Sequence, residues 1–188
     1  MSGIVDRYQE SHELSELHNF FALEPDEQIQ NKILMRAAWM VNTLPEILEI
    51  LEPIKSASVF PRALGSAVGR ESWTLDEKVS ILQAHLTPSD YQESLSFFFN
   101  NTVQSSAEVI SWLNEQPNDE FKDPALSAYS LHLVKRRKFL QAYELAQTIE
   151  RQETQSSIIA SLSKAWVERN PDAASRHLPT EIIDQIQP

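Results

Sequence analysis

Apolar residues recur along this chain at intervals of three and four, with polar and charged residues between them. This spacing lines one face of an α-helix. One of the clearest stripes runs through Ile158, Leu162, Ala165 and Trp166. The chain has 3 glycines and little alternation of β-branched with polar residues, which disfavours sheets joined by tight turns. The pattern therefore predicts an all-α fold of roughly ten to twelve helices, with no β-sheet.

Capping side chains mark several helix starts. Thr74 precedes Glu77, and Ser105 precedes Glu108, at the spacing of a capping box. Elsewhere a capping residue precedes a proline, which is tolerated at the first helical position because its missing N–H needs no partner there. This second pattern occurs at Thr87-Pro88, Asp123-Pro124 and Asn170-Pro171. The two patterns together predict five helix N-termini.

Residues 56–70 carry the weakest apolar pattern and contain Gly65 and Gly69. The segment is either a hinge or one short helix packed through its small residues. We favour the helix, because small residues let two backbones approach closely. The chain is accordingly divided into an N-terminal helical cluster, residues 1–70, and a C-terminal helical-repeat array, residues 71–188, which could also form one continuous domain.

Three alanines open helical stretches of the C-terminal half at a nearly constant interval. Ala107, Ala142 and Ala174 lie 35 and 32 residues apart, which is the length of a helix–turn–helix repeat. Units of this kind bury their apolar faces only by stacking, and the stack offers a long surface to partners. The spacing predicts a short α-solenoid of stacked antiparallel helical hairpins.

The best unit, LSAYSLHLVKRRKFLQAYELAQTIE, resembles one tetratricopeptide-type repeat. Leu126 and Tyr129 beside the small Ser130 fit its first helix, and Phe139 with Ala142 fit the turn exit and the close helix contact. A looser match follows through Ile158, Leu162, Ala165 and Ala174. The resemblance covers about half of the chain. It implies a concave surface that binds a protein or a peptide, without catalytic residues, and we expect no cofactor.

The formal net charge of −11 is distributed unevenly. Residues 1–54 hold 10 acids and 3 bases, residues 55–134 hold 10 and 5, and residues 135–188 hold 7 and 8. An acidic surface repels nucleic acid and attracts a basic partner, so we expect no direct nucleic-acid binding. Solubility alone would also explain the charge.

No apolar run approaches the roughly 18 residues that a membrane-spanning helix needs. The first residues lack the basic start and apolar core of a signal peptide. Cysteine is absent, which excludes disulfides and thiolate metal sites. The lack of cysteine does not identify a compartment, and we take a cytoplasmic protein that does not associate with membranes as the default expectation.

The one basic cluster of the sequence, Lys135, Arg136, Arg137 and Lys138, falls in a turn between two predicted helices. We call these four residues the basic turn. They could contact an acidic peptide, a phosphate or a carboxylate. They could also do no more than oppose the negative end of the preceding helix dipole. The basic turn is our first candidate partner-binding site.

Three consecutive rings, Phe97, Phe98 and Phe99, cannot share one helix face, because each residue advances by about 100°. The helix is either sandwiched between layers or leaves one ring exposed as a partner contact. Phe98 falls on the apolar stripe with Tyr91 and Leu95. We therefore expect Phe97 to be the exposed ring and take it as a second candidate partner-binding residue.

The histidines and tryptophans predict no metal or catalytic site. His12 and His18 lie about 240° apart around a helix, and His12 with Glu16 would supply only two metal ligands. The other histidines are isolated, and there is no nucleophile elbow or phosphate-binding glycine loop. The tryptophans are expected in the core; they are Trp39, Trp73, Trp112 and Trp166.

The repeat pattern predicts a non-catalytic adaptor or interaction module that binds a protein or peptide through its repeat surface. One alternative is an acidic inhibitor, in which the carboxylates of residues 1–134 imitate nucleic acid phosphates and block a nucleic-acid-binding protein. A second alternative is an enzyme with a helical substrate pocket.

Overall fold

A computed structural model describes residues 14–186, and within that range the chain is all-α without a β-strand. The all-α class predicted from the sequence is confirmed, and the described residues form twelve α-helices. These are α1 (Leu14–Leu23), α2 (Glu27–Ala38), α3 (Leu44–Leu51), α4 (Phe60–Arg70), α5 (Leu75–His85), α6 (Pro88–Asn101), α7 (Ser106–Glu115), α8 (Lys122–Lys135), α9 (Phe139–Ala146), α10 (Gln152–Arg169), α11 (Pro171–His177) and α12 (Thr180–Ile186). A single 3₁₀ turn, Glu52–Ile54, follows α3.

The helices form two compact units, the first ending at Val103 and the second beginning at Gln104. The sequence interpretation divides the chain between residues 70 and 71 instead. In the structure α4 and α6, which come from either side of that position, make the most extensive helix contact of the described chain. Because that contact holds α4 and α6 in one unit, the boundary between the two units lies between residues 103 and 104.

Helix α4 settles the question of residues 56–70, because this segment contains a packed helix. Gly65 and Gly69 face α6 and are buried. A Cβ atom built on Gly65 would lie 2.6 Å from the carbonyl oxygen of Ser94, and one built on Gly69 would lie closer still to that of Phe98. The two backbones therefore touch at positions that only glycine permits.

Four of the five predicted N-caps are confirmed. In the capping box of α5, the N–H of Glu77 donates to Oγ1 of Thr74 (3.2 Å), and the N–H of Thr74 donates to Oε2 of Glu77 (2.8 Å). The same reciprocal pair is present at α7. The side chains of Thr87 and Asn170 accept backbone N–H groups at the starts of α6 and α11.

Asp123 was expected to cap its own helix, and this prediction is wrong. The first amides of α8 are bound instead by Asp119, whose Oδ1 accepts from the N–H groups of Phe121 (2.9 Å) and Lys122 (3.2 Å). Asp123 therefore lies inside α8, buried, and its two carboxylate oxygens accept from Glu150 N–H (3.0 Å) and Arg151 N–H (2.9 Å). It fixes the chain just before α10.

In the second unit, helices α7, α9 and α11 bury residues at corresponding positions. Their N-caps, Ser105, Lys138 and Asn170, are 33 and 32 residues apart. The residues four and eight positions after each N-cap are buried. They are Val109 and Leu113, Ala142 and Ala146, and Ala174 and Leu178. Ala107 is exposed, so Val109 corresponds to Ala142 and Ala174 in burial.

Lys78 of α5 is fully buried in the first unit. Its Nζ donates to the carbonyl oxygen of Gly69 at 2.8 Å, near the C-terminal end of α4. Burial disfavours the charged ammonium and lowers the pKa of Lys78 to about 8, while the nearby carboxylate of Glu71 opposes that shift. Below pH 8 Lys78 is therefore charged in the core, and burying that charge lowers the free energy of unfolding.

This cost predicts a pH-dependent stability. Between pH 8 and 10.5 the unfolded chain holds more protons on Lys78 than the folded chain, so the free energy of unfolding rises with pH across that window. We expect the rise to exceed that of the Lys78→Met variant by about 2 kcal/mol. Urea unfolding of both proteins at several pH values measures the difference. Parallel curves would contradict the buried ammonium.

Candidate functional site

The basic turn joins α8 to α9 through a Schellman motif. The N–H of Arg137 donates to the carbonyl of Val134, and that of Lys138 donates to the carbonyl of Leu133, both at 2.9 Å. Arg137 has φ 60°, and no other non-glycine residue of the described range has positive φ. The left-handed conformation costs a residue with a side chain roughly 1–2 kcal/mol. The chain therefore holds an arginine where glycine would be less strained.

The strain at Arg137 predicts opposite outcomes for two neighbouring substitutions. Arg137→Gly should raise the free energy of unfolding by about 0.5–1 kcal/mol, because glycine adopts positive φ without a Cβ clash. Arg136→Gly is the matched control, since Arg136 has φ −84°. It should lower that free energy by about 0.5–1 kcal/mol through backbone entropy alone. Urea titrations followed by circular dichroism distinguish the two, and equal destabilisation would contradict the strain.

The positive charge of the basic turn is not neutralised by nearby acids. All four side chains are exposed, and none forms an ion pair within 4.0 Å with a residue of the described range. Nζ of Lys138 donates to Oγ of Ser106 at 2.7 Å, which is a bond to a neutral group. The turn therefore presents four uncompensated cations on a chain whose net charge is −11.

His132 lies one helical turn before the basic turn and adds no charge to it. Its ring stacks on Tyr129 with a centroid distance of 5.4 Å. Burial lowers the pKa of His132, and the positive charges of Arg136, Lys135 and Lys138 lower it further. At neutral pH the imidazole is therefore uncharged, and its role is to pack against Tyr129.

A cleft of about 340 Å³ opens beside the basic turn, between α9 and the helices α10 and α11. Arg137 and Lys138 form its charged wall. The remaining lining residues are apolar, aromatic or uncharged polar side chains; they include Leu140, Gln141 and Asn170. No carboxylate lines the cleft. We call this the basic cleft.

The floor of the basic cleft is a stack of three rings. Phe139 and Trp166 are nearly parallel with centroids 5.7 Å apart, and Trp166 and His177 follow at 5.8 Å. Phe139 and Trp166 are buried, as the sequence predicts for Trp166, whereas His177 is exposed. Leu140 is 39% exposed at the same site. The cleft therefore combines an apolar floor with cationic walls.

Phe97, the second candidate of the sequence, belongs to the first unit. Phe98 and Phe99 are fully buried in edge-to-face contact at 4.9 Å, while Phe97 is half-exposed on α6. The guanidinium of Arg62 lies 5.7 Å from its ring centroid and also pairs with Glu93 at 2.6 Å. Phe97 is the least buried of the three rings, as expected, and is covered in part by Arg62.

A second cleft, of about 660 Å³, lies in the first unit and carries the opposite charge. Its apolar wall includes Trp73 and Ile81, and Asp76 and Glu77 supply its charged groups. Hydrogen bonds from Thr74 lower the pKa of Glu77, so this carboxylate is ionised at neutral pH. We call this the acidic cleft.

Of the four tryptophans expected in the core, only Trp166 is buried; Trp73 and Trp112 are half-buried, and Trp39 is exposed. Trp39 is 45% exposed, and the guanidinium of Arg70 lies 5.0 Å from its ring centroid. Arg70 is held there by its bonds to Asn42 Oδ1 (2.6 Å) and Glu71 Oε1 (2.9 Å). Trp39 is not packed into the core, and the Arg70 guanidinium covers one face of its ring instead.

Among residues 14–186 no group of three histidine or acidic side chains is arranged to hold a metal ion, and His12 lies outside this range. In the same range no helix is both long and apolar enough to cross a membrane. Comparisons with protein-family models, with curated proteins and with solved structures give no match to the chain.

Proposed function

We propose that the protein is a non-catalytic interaction module that binds a protein or peptide partner through its second unit. The observation that carries the proposal is the basic turn, four exposed cations without a carboxylate partner among residues 14–186, beside a cleft that no carboxylate of that range lines. Charge of this sign works against the net charge of −11 and adds nothing to its solubilising effect. The strained Arg137 adds to the argument, because strained residues cluster at binding sites.

The burial pattern of α7, α9 and α11 supports the proposal that these helices are equivalent members of a tetratricopeptide-like solenoid. Residues four and eight positions after each N-cap are buried in all three. Stacked hairpins of such a repeat present long surfaces that bind proteins. As part of the same proposal we expect a cytoplasmic protein.

Affinity capture from the native cell tests this proposal. The variant K135Q/R136Q/R137Q/K138Q removes the charge of the basic turn. Its matched control, R151Q/K164Q/R169Q/R176Q, removes the same charge from the four other bases of residues 135–188, all of them exposed. We expect partners identified by mass spectrometry to be lost with the first variant and retained by the control. The control should retain them more completely at low salt, where their attraction to the basic turn is screened least.

Two outcomes of this capture would contradict the proposal. Equal loss with both variants would mean that only total charge attracts the partner. A nucleic-acid-binding partner that both variants retain, and that is lost when acids of the first unit are neutralised, would favour the acidic inhibitor instead.

A further inference from the structure

The basic cleft has the chemistry of a site for a single apolar side chain flanked by carboxylates. Building on the proposed function, we infer that its occupant is an acidic peptide segment that carries one large apolar or aromatic residue. The apolar side chain packs on Leu140 and the exposed ring of His177, and neighbouring carboxylates bind Arg137.

The size of the basic cleft favours one side chain. Its volume of about 340 Å³ is at the lower end of the 300–1,000 Å³ typical of ligand pockets. A peptide that inserts one large residue and lies along the rim with its neighbours matches this size. Anchors of that kind dominate the binding energy of interfaces when they fill a pocket from which water is excluded.

The apolar part of the site is already exposed. Leu140 is one of four large apolar residues in the described range that stand out into solvent; the others are Leu23, Trp39 and Val103. The ring of His177 is held in place because one face stacks on the buried Trp166. A ligand ring or aliphatic chain therefore meets a fixed apolar surface and loses little entropy in ordering it.

The charged part of the site selects an anion. Nζ of Lys138 is engaged by Ser106, whereas the guanidinium of Arg137 forms no hydrogen bond or ion pair with any described residue. A guanidinium binds a carboxylate with two parallel hydrogen bonds, so Arg137 is suited to the residue next to the anchor. Lys135 and Arg136 do not line the cleft and extend the positive surface beyond it.

The acidic cleft of the first unit supplies an internal contrast. It offers an apolar wall with Asp76 and Glu77, and therefore attracts cations. A peptide of inverted charge, with lysines in place of glutamates, is excluded from the basic cleft by the same electrostatics that admit the acidic one. Because a lysine peptide would instead be attracted to the acidic cleft, an uncharged peptide with glutamines in place of the glutamates is the control for general adhesion of an apolar anchor.

The test uses the full chain and a fluorescein-labelled, C-terminally amidated peptide in which one central phenylalanine is flanked on each side by three glutamates. Fluorescence anisotropy measures its dissociation constant. Replacing the phenylalanine with alanine, or the glutamates with glutamines, should weaken binding at least about tenfold. Because the peptide has no free C-terminal carboxylate, any binding comes from its side chains.

Two double variants locate the site. R137Q/K138Q removes the charges that line the cleft and should weaken binding about tenfold or more, since directed charge-assisted bonds are lost. K135Q/R136Q removes two charges of the same turn outside the cleft and should change binding less than about threefold, as expected for rim charges. Leu140→Gln should weaken binding without altering the helical circular dichroism, because Leu140 is exposed.

Equal losses for the two double variants, or no effect of Leu140→Gln, would overturn the inference and leave an electrostatic partner surface intact. Absence of acidic-peptide binding would also overturn it, and the capture of a partner that requires the basic turn would then still support the proposed function. If the acidic peptide does not bind and no captured partner requires the basic turn, the proposed function is rejected as well.

Discussion

Replacing Gly69 with alanine is expected to destabilise the first unit by about 3 kcal/mol. The added Cβ would meet the carbonyl oxygen of Phe98, which belongs to the backbone of α6 and cannot move without shifting that helix. Gly65→Ala should act in the same direction, since its Cβ would lie 2.6 Å from the carbonyl oxygen of Ser94. In an open helix the same change stabilises by about 1 kcal/mol. A loss of stability therefore indicates close backbone packing at the glycine, whereas a gain indicates open space.

Ser66→Ala is the matched control, because Ser66 lies between the two glycines on α4 and is half-exposed. It loses only a bond from Asn101 to its hydroxyl, at 3.2 Å. We expect a change below about 1 kcal/mol. Urea unfolding followed by circular dichroism measures all three variants. Stabilisation by Gly69→Ala would show that α4 and α6 are further apart than the structure places them.

The second large effect is expected for Asp123→Ala, which should destabilise the second unit by about 3 kcal/mol. The substitution leaves the partly buried N–H groups of Glu150 and Arg151 without their acceptors. Each is a charge-assisted bond to a buried carboxylate, and partly buried donors are costly to leave unpaired. Asp123→Asn keeps one acceptor oxygen and should cost about half as much.

Asp119→Ala provides the comparison for Asp123. Asp119 also accepts two backbone N–H groups, those of Phe121 and Lys122, but it is exposed. Water can replace its carboxylate, so we expect a loss of about 1 kcal/mol. The measurement is again urea unfolding. Similar losses at both positions would mean that the Asp123 carboxylate is not shielded from solvent.

The sequence predicts the helices well because their signals are local. The capping boxes at Thr74 and Ser105 depend on side chains three residues from their backbone partners, and both are present in the structure. The close packing of α4 also follows from composition, since Gly65 and Gly69 recur on one face. The basic turn is visible as four consecutive bases.

Contacts between distant residues could not be predicted in the same way. Asp123 followed by proline has the pattern of a cap, yet its oxygens bind amides 27 and 28 residues away. The basic cleft likewise combines Leu140 on α9 with Trp166 on α10 and His177 on α11. A partial sequence signal was the apolar pair Phe139-Leu140 directly after the basic turn. The ring stack itself depends on tertiary packing.

The three regularly spaced alanines lie in α7, α9 and α11, but they are not equally buried. Ala107 is exposed, and Val109 occupies the buried position that Ala142 and Ala174 hold in the later helices. Counting from the N-caps gives the more regular pattern.

The most direct test of the proposed partner site is site-specific photo-crosslinking in the native cell. A photoreactive amino acid replaces Leu140 in the basic cleft or, as the control, Lys164, which is exposed in the same unit and does not line the cleft. We predict crosslinks from position 140 to an acidic segment with one large apolar residue, lost in R137Q/K138Q and absent from position 164. Identical crosslinks from both positions, or crosslinks from position 140 that survive R137Q/K138Q, would contradict the account.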